Sequence, residues 1–222
     1  MLAWSIAAAQ YAPHDDSVVE NITHHIRFID VAAELGCKIL VFPELSLTGP
    51  EGENGLPVPP TEIQLQPLMD AARQYQMTII AGLPVEENGI RHKGVAIFRP
   101  DAQKPFHCLQ GNGTCLTPGS RNVSVFNLNS EGCDLAPQAS LLATVGSTSE
   151  SNLNQNTQRL QWFARKYAIA VLKSNYSCDS FSGGSALWDE NGQLIVRADQ
   201  GELLVTGRKS AQGWQGDIIP LR

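Results

Sequence analysis

Phe42-Pro43-Glu44-Leu45-Ser46-Leu47-Thr48-Gly49 follows directly on Lys38-Ile39-Leu40-Val41. That apolar run suits a strand buried on both faces, and Pro43, which has no N–H to give a ladder, stops it. Glu44 therefore stands at the end of a buried strand. Upstream, Asp15, Asp16 and Ser17 offer N-caps, and Val18, Ile22, Ile26, Ile29 and Ala33 follow at helical steps. This spacing predicts a helix over Ser17–Leu35, with Gly36 as its C-cap. Before it, Trp4 to Gln10 is a second buried-strand pattern.

Downstream the pattern repeats. Gly52 to Pro60 is a Gly/Pro-rich loop, and a helix is expected over Glu62–Gln76 with Ile63, Leu65, Leu68 and Ala72 inward. Strands are expected at Thr78–Leu83 and Gly94–Phe98. Toward the far end, Gln155–Tyr167 reads as a helix carrying Leu160, Phe163, Ala164 and Tyr167 on one side. Trp162 and Phe163 are adjacent, so one narrow stripe cannot bury both, and one of them is expected at an interface. Ala168–Leu172 reads as a strand, and Ser185–Trp188 and Gln193–Val196 as a hairpin turned at Asn191-Gly192. Alternating strands and helices place the chain in the α/β class. The middle, Asp101 to Asn154, differs: it is rich in Gly, Ser, Asn and Thr, with short apolar runs only.

Composition narrows the partners. The 222 residues suffice for one large domain, and 42% hydrophobic content is ordinary. Sixteen scattered Lys and Arg within a net charge of −6 argue against nucleic acid. No apolar stretch is long enough for a bilayer, and the N-terminal run lacks the basic start of a signal peptide, so a cytoplasmic location is expected. Cys37, Cys108, Cys115, Cys133 and Cys178 are odd in number and irregularly spaced, which argues against a disulfide framework. His107 with Cys108 and Cys115 matches no zinc spacing, and no cofactor or metal site is expected.

The Glu44 stretch resembles the segment that carries the general-base glutamate in the nitrilase (carbon–nitrogen hydrolase) superfamily. Ala9-Gln10, Asn21, Thr78-Ile79-Ile80-Ala81-Gly82 and Arg99-Pro100-Asp101 agree with it in order. So do Ala164, Val171-Leu172-Lys173-Ser174-Asn175, and Gly183-Gly184-Ser185-Ala186-Leu187 followed by Asp189 and Gly192. The likeness covers residues 2–100 and 155–222. It implies an α-β-β-α sandwich over 1–222, with a shortened central segment at about 101–154. It also implies a homodimer or larger, and a small amide or nitrile as ligand.

The family's chemistry splits a C–N bond through a thioester, using a cysteine nucleophile, a carboxylate base and a lysine that stabilises negative charge. Glu44 matches the base. The other two do not fall into place. Lys104 lies on the wrong side of the aromatic Phe106 and beside Pro105, and the second family glutamate appears as Asn112 or Gly113. Cys133 touches Asp134 in Glu131-Gly132-Cys133-Asp134-Leu135-Ala136-Pro137, where the family has one residue between them. Depending on register, Gly132 or Gln138 takes the nucleophile's place. The resemblance thus implies a divergent or non-catalytic member with an incomplete triad. The alternative is an amidase using Cys133, Glu44 as base, and a relocated lysine, Lys173.

Overall fold

The computed structural model of the chain describes residues 4–14, 17–53, 55–109, 115–116, 122–125, 135, 139–178 and 181–221. In its first half are β1 (Trp4–Tyr11), α1 (Val18–Glu34), β2 (Ile39–Val41), α2 (Glu62–Tyr75), β3 (Thr78–Glu87), β4 (Ile90–Phe98) and β5 (Phe106–Leu109). Then come β6 (Cys115–Leu116), β7 (Asn122–Val125), β8 (Ala139–Val145), α3 (Leu153–Tyr167) and β9 (Ala170–Cys178). β10 (Phe181–Ser182), β11 (Ala186–Trp188), β12 (Leu194–Arg197), β13 (Leu203–Ser210) and β14 (Gly213–Pro220) complete the order.

Four layers follow from where the apolar side chains go. The first sheet runs β5-β4-β3-β2-β1 and continues through β13 to β14; the second runs β6-β7-β8-β9 and continues through β11 to β12. Strand side chains alternate, so each sheet has two faces to cover. Ala7, Ala9, Leu40, Phe42 and Ile79 pack with Phe28 and Ile29 of α1 and Leu65 and Leu68 of α2. The opposite faces of the two sheets meet, Ile6, Ala8, Val41 and Ile80 against Val123, Leu141, Ala143 and Leu172. Val171, Ala186 and Trp188 then turn outward onto Leu160, Phe163 and Ala164 of α3. This helix–sheet–sheet–helix stack is the α-β-β-α sandwich read from the sequence.

Some local expectations need correction. Ile63 is 87% exposed, because the inward positions of α2 are Leu65, Leu68, Met69 and Ala72, a spacing in which residue 63 faces away. Thr61 closes a capping box with Gln64 at its start. In α1 the buried stripe centres on His25 and Phe28 and takes in Asn21 and His24, leaving Ile26 at its margin. Trp162 is 57% exposed beneath the ammonium of Lys166, while Phe163 is in the core. Cys108 is disulfide-bonded, whereas Cys37 is a buried thiol. An odd, irregular cysteine set excludes a framework but not a single bridge.

β3 and β4 are longer than their apolar cores, forming one hairpin through Asn88-Gly89, both at positive φ. Near its start β3 also braces the turn after β2. Gly82 donates to the carbonyl of Pro43, and its own carbonyl accepts from the amide of Leu47. A Cβ on Gly82 would stand 2.3 Å from the Leu45 nitrogen and 2.4 Å from the Pro43 oxygen. Those are backbone atoms and cannot rotate aside. Gly82→Ala is therefore expected to lower stability by about 1–3 kcal/mol, read as a fall in the urea midpoint at unchanged slope.

Candidate active site

The turn after β2 presents Glu44. Proline ends the strand, Leu45 takes a left-handed conformation (φ 53°), and the amide of Thr48 closes back onto the carbonyl of Leu45 at 3.0 Å. A leucine at positive φ is strained and persists only where its surroundings over-determine it. Here Leu45 is fully buried, and the adjoining carbonyl of Glu44 accepts from the hydroxyl of Tyr176 on β9. Burial first, and then the neighbouring Glu44 charge, push the Tyr176 phenol well above its ordinary range, so it stays a donor.

Glu44 is 5% exposed, and two groups of the described residues meet one of its oxygens. Lys93 on β4 donates from Nζ to Oε1 at 3.1 Å, and Ser147 donates from Oγ to the same oxygen at 2.9 Å. Lys93 also pairs with Glu51 at 3.3 Å. Partial burial pulls the Lys93 ammonium down, but the Glu44 and Glu51 carboxylates outweigh it, and its pKa lies above the ordinary lysine value. A buried carboxylate thus has a charged partner and a hydroxyl donor in place.

Ser147 is delivered by the end of β8 and fixed through its neighbour. The Asn175 side chain accepts from the Thr148 amide at 2.9 Å and donates to the carbonyls of Thr148 (3.0 Å) and Gly183 (2.6 Å). Behind the Glu44 turn, His25 donates from Nδ1 to the Asn21 carbonyl at 2.7 Å and accepts the Ser46 hydroxyl on Nε2 at 3.0 Å. Its ring lies against Phe42. Only the neutral imidazole can play both parts.

Of the residues expected at the site, Glu44 stands in the turn after β2, buried against Lys93 and Ser147. Cys133 lies outside the described residues. Lys173 is 1% exposed on β9, and strand alternation puts it on the α3 side with Val171. Its Nζ has no hydrogen-bond partner among the described residues, and burial, then the charge of Arg197, lower its pKa to about 7. Lys104 forms an exposed pair with Glu62 at 2.8 Å. The sequence reading missed Lys93 and Ser147. The signal for Lys93 was Asn88-Gly89, a hairpin turn that extends β4 back through the polar residues Arg91 to Lys93. Ser147 had no local signal.

Comparison with known proteins bears on the fold. The family model described as Carbon-nitrogen hydrolase matches residues 5–112. Among solved structures, a glutamine-dependent NAD+ synthetase from Acinetobacter baumannii superposes with a TM-score of 0.79 at 16% identity, covering 96% of this chain. The chain spans only about half (47%) of that protein. An amidase from Nesterenkonia sp. superposes at 0.77 with 15% identity, over 91% of this chain and 89% of its own. A mutant of Nesterenkonia AN1 amidase, from the nitrilase superfamily, gives 0.77 at 14% identity over 91% and 90%. At these identities the structural likeness speaks for the fold.

His25 sets a pH dependence. Burial lowers its pKa from 6.5 to about 3, the Asn21 carbonyl opposing and His24 adding to the shift. The unfolded chain therefore takes up this proton first as pH falls. The group's stabilisation is complete above about pH 6.5 and is lost progressively toward pH 3, at up to about 1.4 kcal/mol per pH unit. Urea unfolding over that window is expected to show the slope, and His25→Gln to remove this part of it.

Proposed function

We propose, for a chain that residues 5–112 make a carbon–nitrogen hydrolase relative of the nitrilase superfamily, that Glu44 anchors a pocket binding a small amide without thioester turnover. The supporting observation is the double engagement of Glu44 Oε1 by Lys93 and Ser147. A carboxamide offers two N–H donors and a carbonyl acceptor. A carboxylate beside an ammonium and a hydroxyl is complementary to both ends, whereas a nitrile offers only an acceptor. Mutants of the Nesterenkonia amidase have been seen with acrylamide and with butyramide, ligands of this kind.

Thioester formation asks for a thiol within hydrogen-bond reach of the base. The hydroxyl of Ser147 stands at that distance from Glu44, and an alcohol is a far weaker nucleophile than a thiolate. The sequence around Cys133 also departs from the family's spacing. Among the described residues Lys93, not the buried Lys173, is the cation beside the carboxylate.

The test combines binding with turnover. Calorimetric titration of butyramide is expected to show binding that Glu44→Gln weakens by about tenfold, the worth of one charge-assisted hydrogen bond. Ammonia release over a panel of small amides is expected to stay at background. Under reducing conditions Cys133 is expected to alkylate with the pH profile of an ordinary thiol, the same in Glu44→Gln. Ammonia release abolished by Cys133→Ala would overturn the non-catalytic reading in favour of an amidase acting through Cys133.

A further inference from the structure

We propose that Lys173, buried between the second sheet and α3, is a carbamylation site: carbon dioxide adds to its Nζ, and the carbamate so formed faces Arg197 across Ala186. Nothing in this depends on amide binding at Glu44. Lys173 on β9 is paired with Ala186 on β11, and Ala186 is paired with Arg197 on β12. On its other side Lys173 is paired with Thr144 on β8. Partners across a ladder share a face, and Ala186 packs toward α3 with Val171 and Trp188, so the whole row stands on the helix side. Neighbouring strands lie about 4.8 Å apart, which puts the Lys173 and Arg197 backbones about 10 Å from each other. The small Ala186 side chain leaves the width of a strand between the two long ones.

The row is electrostatically unbalanced. Lys173 is fully buried, and its Nζ has no hydrogen-bond partner among the described residues. The Nε of Arg197 is buried as well; the mostly exposed Asp199 lies 2.9 Å from it but makes no aligned hydrogen bond there. From α3 the inward residues of the first turns are Leu153, Asn156, Thr157 and Leu160, all uncharged. Among the described residues the charge that acts on Lys173 is that of Arg197. Two such cations without an anion between them repel in a poorly solvated layer, and the repulsion becomes attraction if one of them turns into an anion. Burial, then Arg197, hold the Lys173 pKa at about 7, so much of it is the free amine at neutral pH, the form that reacts. The Nζ lone pair attacks the carbon of carbon dioxide. An N–C bond forms, one C–O π bond breaks onto oxygen, and Nζ gives up a proton to solvent. The product is a carboxylate-like anion, the kind of group a guanidinium holds well. Carbon dioxide is small and apolar, so the layer of Leu142, Leu160 and Val171 does not exclude it.

The native protein is equilibrated with isotope-labelled bicarbonate at about pH 8, where the lysine is mostly free amine, and carbon NMR is recorded before and after unfolding in urea. The expected result is a carbamate resonance that is lost on unfolding and absent in Lys173→Met. Methionine replaces the buried amine with an apolar chain of similar shape, and circular dichroism checks that the variant folds. Alkylation with triethyloxonium followed by peptide mapping should place the trapped carbamate on Lys173 of the native protein, a readout that needs no variant. Arg197→Gln should raise the bicarbonate concentration for half occupancy about tenfold, the worth of one charge-assisted hydrogen bond. No folded-state resonance at saturating carbon dioxide, or a carbamate trapped only on the chain terminus or a surface lysine, would overturn the proposal. Half occupancy unchanged in Arg197→Gln would overturn the pairing with Arg197. A rise in Tm with bicarbonate or chloride that Lys173→Met removes, with no carbamate trapped, would make the pair an anion site and sink the covalent step.

Discussion

Where the two sheets join, Gln10 pairs with Asn175 and Tyr11 with Tyr176, and the buried amides at this seam must find partners. An unpaired buried amide costs about 1–3 kcal/mol, so the seam tolerates few geometries. Gln10 meets its need by donating to the Gly201 carbonyl at 3.0 Å and accepting from the Ser185 amide at 3.1 Å. Asn175 meets its own through Thr148 and Gly183. Gly183 has to be glycine: it sits at φ +78°, and a Cβ there would fall 2.2 Å from the Asp199 carbonyl and 2.7 Å from the Gln10 amide. Hydrogen bonding thus fixes the geometry of the joint between the sheets.

That joint also sets the site. Asn175 and Tyr176 are consecutive on β9, so their side chains leave opposite faces. One grips the backbone of Thr148 and with it the Ser147 turn; the other reaches across to the carbonyl of Glu44. Glu44 comes from the first sheet and Ser147 from the second. Their separation is therefore set by two adjacent residues of a strand that pairs with both halves of the fold. His25 supports the same turn from the helical side through Ser46. Its neighbour His24 ties α1 to Glu202, which also accepts from the Ala12 amide.

How much of this was legible depends on the range of the interaction. Strand and helix order came from local apolar periodicity, whereas the four-layer stack came from the family resemblance. Glu44 was legible because the strand ahead of it, the proline and the turn after it are contiguous. The limit appears in α1, where periodicity favoured Val18, Ile22 and Ile26, yet Asn21, His24 and His25 went inside. Each of those polar side chains is satisfied by something remote in sequence or by backbone: Tyr11 and His14 for Asn21, Glu202 for His24, Ser46 for His25. A helical wheel cannot see such partners. Lys93 and Ser147 escaped for the same reason, since they meet Glu44 across 49 and 103 residues.

A carboxylate held at 5% exposure is costly in an α/β interior unless a cation and a donor accompany it. Lys93 supplies the first and Ser147 the second, so Glu44 is compatible with this fold whatever becomes of the thiol. Lys93 is itself shared with Glu51 and partly open to solvent. The ion pair and the hydroxyl donor together account for a buried carboxylate at this position. What the ion pair does require is a polar setting where the turn after β2, the first half of β4 and the segment after β8 converge, and the hydrogen bonds of Tyr176 and Asn175 hold two of those three in place.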